Sequence, residues 1–163
     1  MARILIVGCG CRGLQLAGEL IAGGHIVRGT SRSEHGVARI QEAGVEGVLA
    51  DPDRLATLTP HLDAVSVVCW LMGSADGAPE KVEALHGPRL ETIVWKLVDT
   101  HVRGIVYEAA GTVDRSLLGQ GATTVRNARA TFNMPTEVVA EDPQERAAWT
   151  TAMTAAVQSV LEA

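Results

Sequence analysis

The segment ILIVGCGCRGLQLAGELIAGG, residues 4–24, constrains the fold more than any other. Ile4 to Val7 is a continuous apolar, β-branched run, the pattern of a strand buried on both faces. Leu14 to Ala22 reads as a helix that ends at Gly23 and Gly24. Between them stand Gly8, Gly10 and Gly13, spaced G-x-G-x-x-G. The spacing alone is weak, but its setting between a strand and a helix gives it a physical meaning. Gly8 permits the tight turn out of the strand. Gly10, with no Cβ, lets a pyrophosphate approach the backbone. Gly13 lets the helix pack close to the sheet. The free amides that open the helix, and its dipole, then favour an anion there.

The rest of the chain repeats the alternation. His25 to Thr30 reads as a second strand, Glu34 to Glu42 as a helix, Val45 to Leu49 as a third strand, and Asp53 to Leu58 as a short helix. Ala64 to Cys69 is the fourth strand, followed by a loop of small residues, MGSADGAPEK. Leu90, Ile93, Val94, Leu97, Val98 and His101 recur at helical spacing. Gly104 to Tyr107 is the fifth strand. A helix from about Arg115 to about Ala130 precedes the sixth strand, Thr136 to Val139. In the last helix Trp149, Ala152, Met153, Ala156, Val157, Val160 and Leu161 form an apolar stripe, with Thr150, Thr151, Thr154, Gln158 and Ser159 opposite. Strands separated by helices imply right-handed crossovers and a parallel sheet covered on both faces. The expected fold is α/β: a doubly wound parallel sheet of about six strands, order 3-2-1-4-5-6, with residues 1–163 forming one domain.

A glycine loop in this place predicts a dinucleotide site. NAD sites carry an acidic residue about 20 residues on, at the end of the second strand. Here that place reads Arg28-Gly29-Thr30-Ser31-Arg32-Ser33, with no carboxylate before Glu34. Two hydroxyls and a guanidinium suit a 2′-phosphate, so NADP is favoured over NAD. Arg12, inside the loop, offers a second contact. The expected cofactor residues are Gly8, Cys9, Gly10, Cys11, Arg12, Gly13, Thr30, Ser31, Arg32, Asp51, Cys69 and Trp70. The last two stand at the carboxyl end of strand four, beside strand one.

The run GCGCRGLQLAGELIAGGHIVRGTSRS resembles the opening of the short-chain dehydrogenase/reductase superfamily, in its extended and atypical branches, which include the NAD-dependent epimerase/dehydratases. The GH-x-V-x-G-T-S-R portion carries most of the likeness. Asp51 after the third strand and RGIVYEAAGTVD around the fifth extend it, from Arg3 to about Asp114. The resemblance implies that Asp51 contacts the adenine amino group. Asp51-Pro52 also reads as a helix N-cap with proline at the first helical position. Catalytic members use a tyrosine with a lysine four residues later. This chain has one tyrosine, Tyr107, and Gly111 stands where the lysine would be; Lys81 and Lys96 have no tyrosine four residues before them. The resemblance therefore supports the cofactor site and not the chemistry.

Tyr107 as a proton donor and Glu108 as a base are the catalytic candidates, because ligands lie beyond the strand carboxyl ends. Two functions stay open. One is an atypical oxidoreductase acting on a small carbonyl or hydroxyl compound, its pocket closed by the loop from Trp70 to Pro88. The other is a cofactor-binding sensor or regulator without turnover; a relic fold that binds no dinucleotide and serves only in assembly is a third possibility. Cys9, Cys11 and Cys69 converge at the crevice if the strand order holds, as redox-active thiols or as small buried residues. No histidine shares a spacing that zinc would want, so no metal is expected. His25, His35, His61, His86 and His101 form no cluster. Net charge is −5, which argues against nucleic acid and against a membrane surface. No apolar run reaches the length of a membrane span, and the start of the chain lacks a signal-peptide layout, so the cytosol is expected. Trp95, off its helix's main stripe, marks either a subunit contact in a homo-oligomer or peripheral packing.

Overall fold

The computed structural model describes all 163 residues. The elements in chain order are β1 (Arg3–Val7), α1 (Cys11–Ala22), β2 (Ile26–Ser31), α2 (Glu34–Glu42), β3 (Glu46–Leu49), β4 (Val67–Trp70), α3 (Pro79–His86), α4 (Pro88–Val98), β5 (Gly104–Glu108), α5 (Arg115–Phe132), β6 (Thr136–Val139) and α6 (Arg146–Glu162). The strands form one parallel sheet in the order β3-β2-β1-β4-β5-β6. The order reverses between β1 and β4, as the alternation of strands and helices requires.

Two apolar layers hold the sheet. Ile4, Ile6, Val67, Cys69 and Val106 point to one face, where they meet Leu16, Leu20, Ile40, Trp149 and Val157 from α1, α2 and α6. Leu5, Val7, Val68, Trp70, Ile105 and Tyr107 point to the other, against Leu85, Leu90, Ile93 and Val125 from α3, α4 and α5. Successive residues of a strand face opposite ways, so β1 is apolar throughout because both faces are covered. Each fully buried Leu, Ile or Val contributes about 1.5–3 kcal/mol relative to exposure.

Several local expectations are corrected. The short helix at Asp53 to Leu58 is instead two 3-10 turns, Leu55–Thr57 and Thr59–Leu62. Asp51 therefore caps no α-helix, although its Oδ1 accepts from the Asp53 amide at 2.9 Å. The stretch after β4 is only partly loop. Pro79 opens α3, where its missing N–H costs nothing, and α3 is joined to α4 through Gly87. Helix α4 stops at Val98, so His101 lies exposed beyond it. Thr150 is buried with the apolar stripe of α6. Trp95 is 65% exposed and meets Phe132 of α5 edge-on, ring centroids 4.8 Å apart.

Candidate functional site

Strand β1 ends in a turn that the sequence can make only with glycine. Gly8 has φ +83°, and a Cβ there would run into the Met72 side chain and the Leu71 carbonyl. Thr30, at the end of β2, fixes the turn from the side. Its Oγ1 accepts from the Gly8 amide at 3.1 Å, and its carbonyl accepts from the Cys9 amide at 3.0 Å. Gly13 sits against Cys9 and Ile6, where a Cβ would come within 3.1 Å of the Cys9 Sγ. Gly10 differs from both: nothing lies within 4 Å of where its Cβ would be. It is the N-cap of α1 and supplies no side-chain cap. The amides of Cys11, Arg12 and Gly13 thus open the helix without carbonyl partners four residues back.

Gly10 faces a cleft of about 590 Å³. Its floor is Gly8, Cys9 and Gly10. One wall is Thr30, Ser31, Arg32 and Ser33, with His35 and Arg39 of α2 behind them. A second wall is Ala50 to Asp53, and a third runs from Met72 through Ala75–Ala78 to Lys81 and Leu85. The Ser33 side chain is tied up as the N-cap of α2, accepting from the Gly36 amide at 3.0 Å. Asp51 keeps Oδ2 free of hydrogen bonds. Arg32 and Arg39 thus put two guanidiniums on the cleft wall, beside the uncrowded floor at Gly10.

Of the expected cofactor residues, Gly8, Cys9, Gly10, Thr30, Ser31, Arg32 and Asp51 line this cleft. Cys11, Arg12, Gly13, Cys69 and Trp70 do not. Cys69 and Trp70 are wholly inaccessible, and the Trp70 indole N–H donates to the Leu85 carbonyl at 3.1 Å. Arg12 turns away toward β5. Its Nε and Nη2 donate to both oxygens of Glu108 at 2.9–3.3 Å, and its guanidinium stacks 5.7 Å from the centre of the Trp149 ring. Glu108 is 0% exposed and also accepts from the Gly73 amide at 2.9 Å. Burial lifts its carboxyl above the usual range, while Arg12 and the Gly73 amide pull it down. These donors match an ionised carboxylate.

Tyr107 is equally committed. Its hydroxyl lies 2.6 Å from His86 Nδ1, and His86 Nε2 lies 2.9 Å from the Met72 carbonyl. A carbonyl only accepts, so Nε2 carries the proton and Nδ1 accepts from the tyrosine. Burial lowers the His86 pKa, in keeping with this neutral ring, and burial raises that of Tyr107. The two catalytic candidates are therefore inaccessible and already bonded, and neither reaches the cleft. His86 was invisible in the sequence because its partners are 14 and 21 residues away. Arg39 and Lys81, also unforeseen on the cleft wall, come from one exposed helix face each.

The thiols divide. Cys9 and Cys69 are buried in the same apolar layer, and burial pushes both up to about 12. Cys11 is exposed, with Arg39 Nη2 3.5 Å from its sulfur. No three His, Cys, Asp or Glu side chains are grouped to hold a metal. One thiol per native chain should react with a thiol reagent at pH 8, and Cys11→Ser should remove that reaction. Rapid labelling of two or three would contradict the burial of Cys9 and Cys69.

Together the sheet order and the glycine turn define a doubly wound Rossmann-type fold. Solved structures share this fold at low sequence identity. A short-chain dehydrogenase/reductase superfamily protein from Agrobacterium tumefaciens with bound NAD is 18% identical, with a TM-score of 0.68 over 83% of this chain and 48% of that one. A UDP-glucuronic acid 4-epimerase variant from Bacillus cereus, with NAD and a fluorinated UDP-sugar, is 13% identical, TM-score 0.64, over 83% and 55%. Vestitone reductase from alfalfa is 12% identical, TM-score 0.65, over 85% and 56%. The chain spans about half the length of these proteins. At such identities the likeness is one of fold. No protein-family model and no curated protein matches the sequence. No helix is long and apolar enough to cross a membrane.

Proposed function

We propose that the chain binds NADP(H) and acts by that occupancy, as a sensor or regulator, without turning a substrate over. One observation carries the reading: Arg32 and Arg39 stand with Ser31 on the wall of the cleft that Gly10 floors. A diphosphate over the start of α1 would send its adenosine toward Asp51 and its 2′-phosphate toward the two guanidiniums. Asp51 Oδ2 is free to accept from an adenine amino group. The proton carriers near the strand ends, Tyr107 and Glu108, are buried and bonded elsewhere, which favours binding over catalysis. Lys81 and Asp76, titratable groups on the cleft wall, favour the second reading, an atypical oxidoreductase for a small carbonyl or hydroxyl compound.

Titration with NADPH, NADP, NADH and NAD, followed by incubation with a panel of small carbonyl compounds, tests the reading. NADPH should bind and stay reduced. Sustained oxidation with any carbonyl would favour the oxidoreductase. Arg32→Ala should weaken NADPH about ten- to hundredfold, the range of one charged hydrogen bond, while changing NADH less than about threefold. Equal losses for both would remove the 2′-phosphate assignment.

A further inference from the structure

A doubly wound sheet offers two mononucleotide halves, one on each side of the strand-order reversal, and a dinucleotide spans both. In this protein only one half is open. The cleft follows the ends of β1, β2 and β3 and turns along α3, and no residue beyond Leu85 lines it. The segment after β4 is the far wall of this cleft, and the region past the end of β5, where the second nucleotide would lie, is covered by the chain itself.

The closure is built from hydrogen bonds and backbone contact. The loops after β4 and β5 press together at Gly73 and Gly111; a Cβ on Gly73 would strike the Ala110 carbonyl, and one on Gly111 the Gly73 carbonyl. The Val113 amide donates to the Gly73 carbonyl at 3.0 Å, and the Thr112 amide to Ser74 Oγ at 3.3 Å. Beneath this seam Glu108 holds the Gly73 amide and is itself clamped by Arg12. On the other side His86 donates to the Met72 carbonyl and accepts from Tyr107, fastening α3 over the same loop. Opening the second half would break these bonds together and leave Glu108 and His86 with buried, unpaired groups.

The geometry points to a half-site: the cleft takes an adenosine diphosphate bearing a 2′-phosphate, and whatever is attached beyond the second phosphate stays in solvent. The ligand class is thus broader than NADP(H), which is one member. A nicotinamide that is never enclosed is not oriented for hydride transfer, which agrees with the absence of an accessible proton carrier at β5. This inference rests on the nucleotide reading of the cleft given above.

Calorimetry with NADPH, 2′-phospho-ADP-ribose and reduced nicotinamide mononucleotide tests it. The first two should bind within about threefold of each other, and the mononucleotide should give no heat at millimolar concentration. The emission of bound NADPH should keep the wavelength and yield that it has in water. If 2′-phospho-ADP-ribose binds more than threefold weaker than NADPH, or if the nicotinamide emission shifts to the blue and brightens, the second half receives the nicotinamide. The half-site would then be overturned while the nucleotide reading stands. If NADPH itself does not bind, both fall.

Discussion

Gly10→Asp should abolish nucleotide binding while leaving the fold as stable as before or slightly more so. The position is the N-cap of α1, its φ is −88°, and no atom crowds its Cβ. Aspartate is among the best N-caps, and a negative charge at a helix N-terminus is itself stabilising, by about 0.3–1 kcal/mol. The same carboxylate would occupy the amides that the diphosphate needs and would repel it. Losing two charged hydrogen bonds, each about 1.5–3 kcal/mol, predicts at least a hundredfold weaker NADPH. The melting temperature should stay level or rise. A variant that melts early would mean that Gly10 is structural; one that binds normally would mean that the phosphates lie elsewhere. Gly8 is the contrast. Its positive φ and its contact with Met72 and Leu71 make substitution there a failure of folding first.

Arg12→Ala should produce a large loss of stability in a chain that still folds. Breaking a buried pair by removing one partner costs about 3–5 kcal/mol, because a charge stays behind without compensation. The Glu108 side chain is 0% exposed but that of Arg12 is 28%, so the lower end applies. For a chain of this size about 3 kcal/mol corresponds to a fall of roughly 10 °C in melting temperature. The loss should also depend on pH. Burial already holds the Glu108 carboxyl high, and without Arg12 it rises further. The folded state then keeps a proton that the unfolded chain has released. That stabilisation is complete below the unfolded carboxyl pKa, about 4.3, and disappears as pH rises through the folded one. The variant should therefore lose less at pH 5 than at pH 8. Adding Glu108→Gln, which keeps an acceptor for the Gly73 amide, should recover part of the loss. An Arg12→Ala protein as stable as the parent at pH 8 would show that the pair is not formed.

The sheet and its order were legible because they depend on local signals. Continuous apolar β-branched runs, spaced by amphipathic stretches, admit few other arrangements. The glycine turn was legible for the same reason: its three glycines lie within six residues, between a strand and a helix. Arg32 and Asp51 could be placed on the cleft because they follow directly on strands whose ends face it. What could not be read depends on contacts between distant segments. Arg12 lies 96 residues from Glu108, so its position in the glycine loop suggested a phosphate ligand, while its actual partner is a carboxylate on β5. Tyr107 and Glu108 were placed correctly at a strand end, but burial there depends on Trp149, His86 and the loop carrying Gly73. The small-residue run after β4 gave no periodicity to reveal α3, whose start is set by Pro79. Cys9 and Cys69 do come together, yet in the apolar layer and without Cys11.

In the proposed function, the backbone between β1 and α1 receives the diphosphate of a 2′-phosphorylated adenosine nucleotide. Amide chemical shifts during an NADPH titration test it most directly. The amides of Gly10 to Gly13 and of Ser31 to Gly36 should move together along one binding curve, while those of Ala109 to Val113 stay in place. Shifts confined to other parts of the surface, or none at saturating nucleotide, would contradict it.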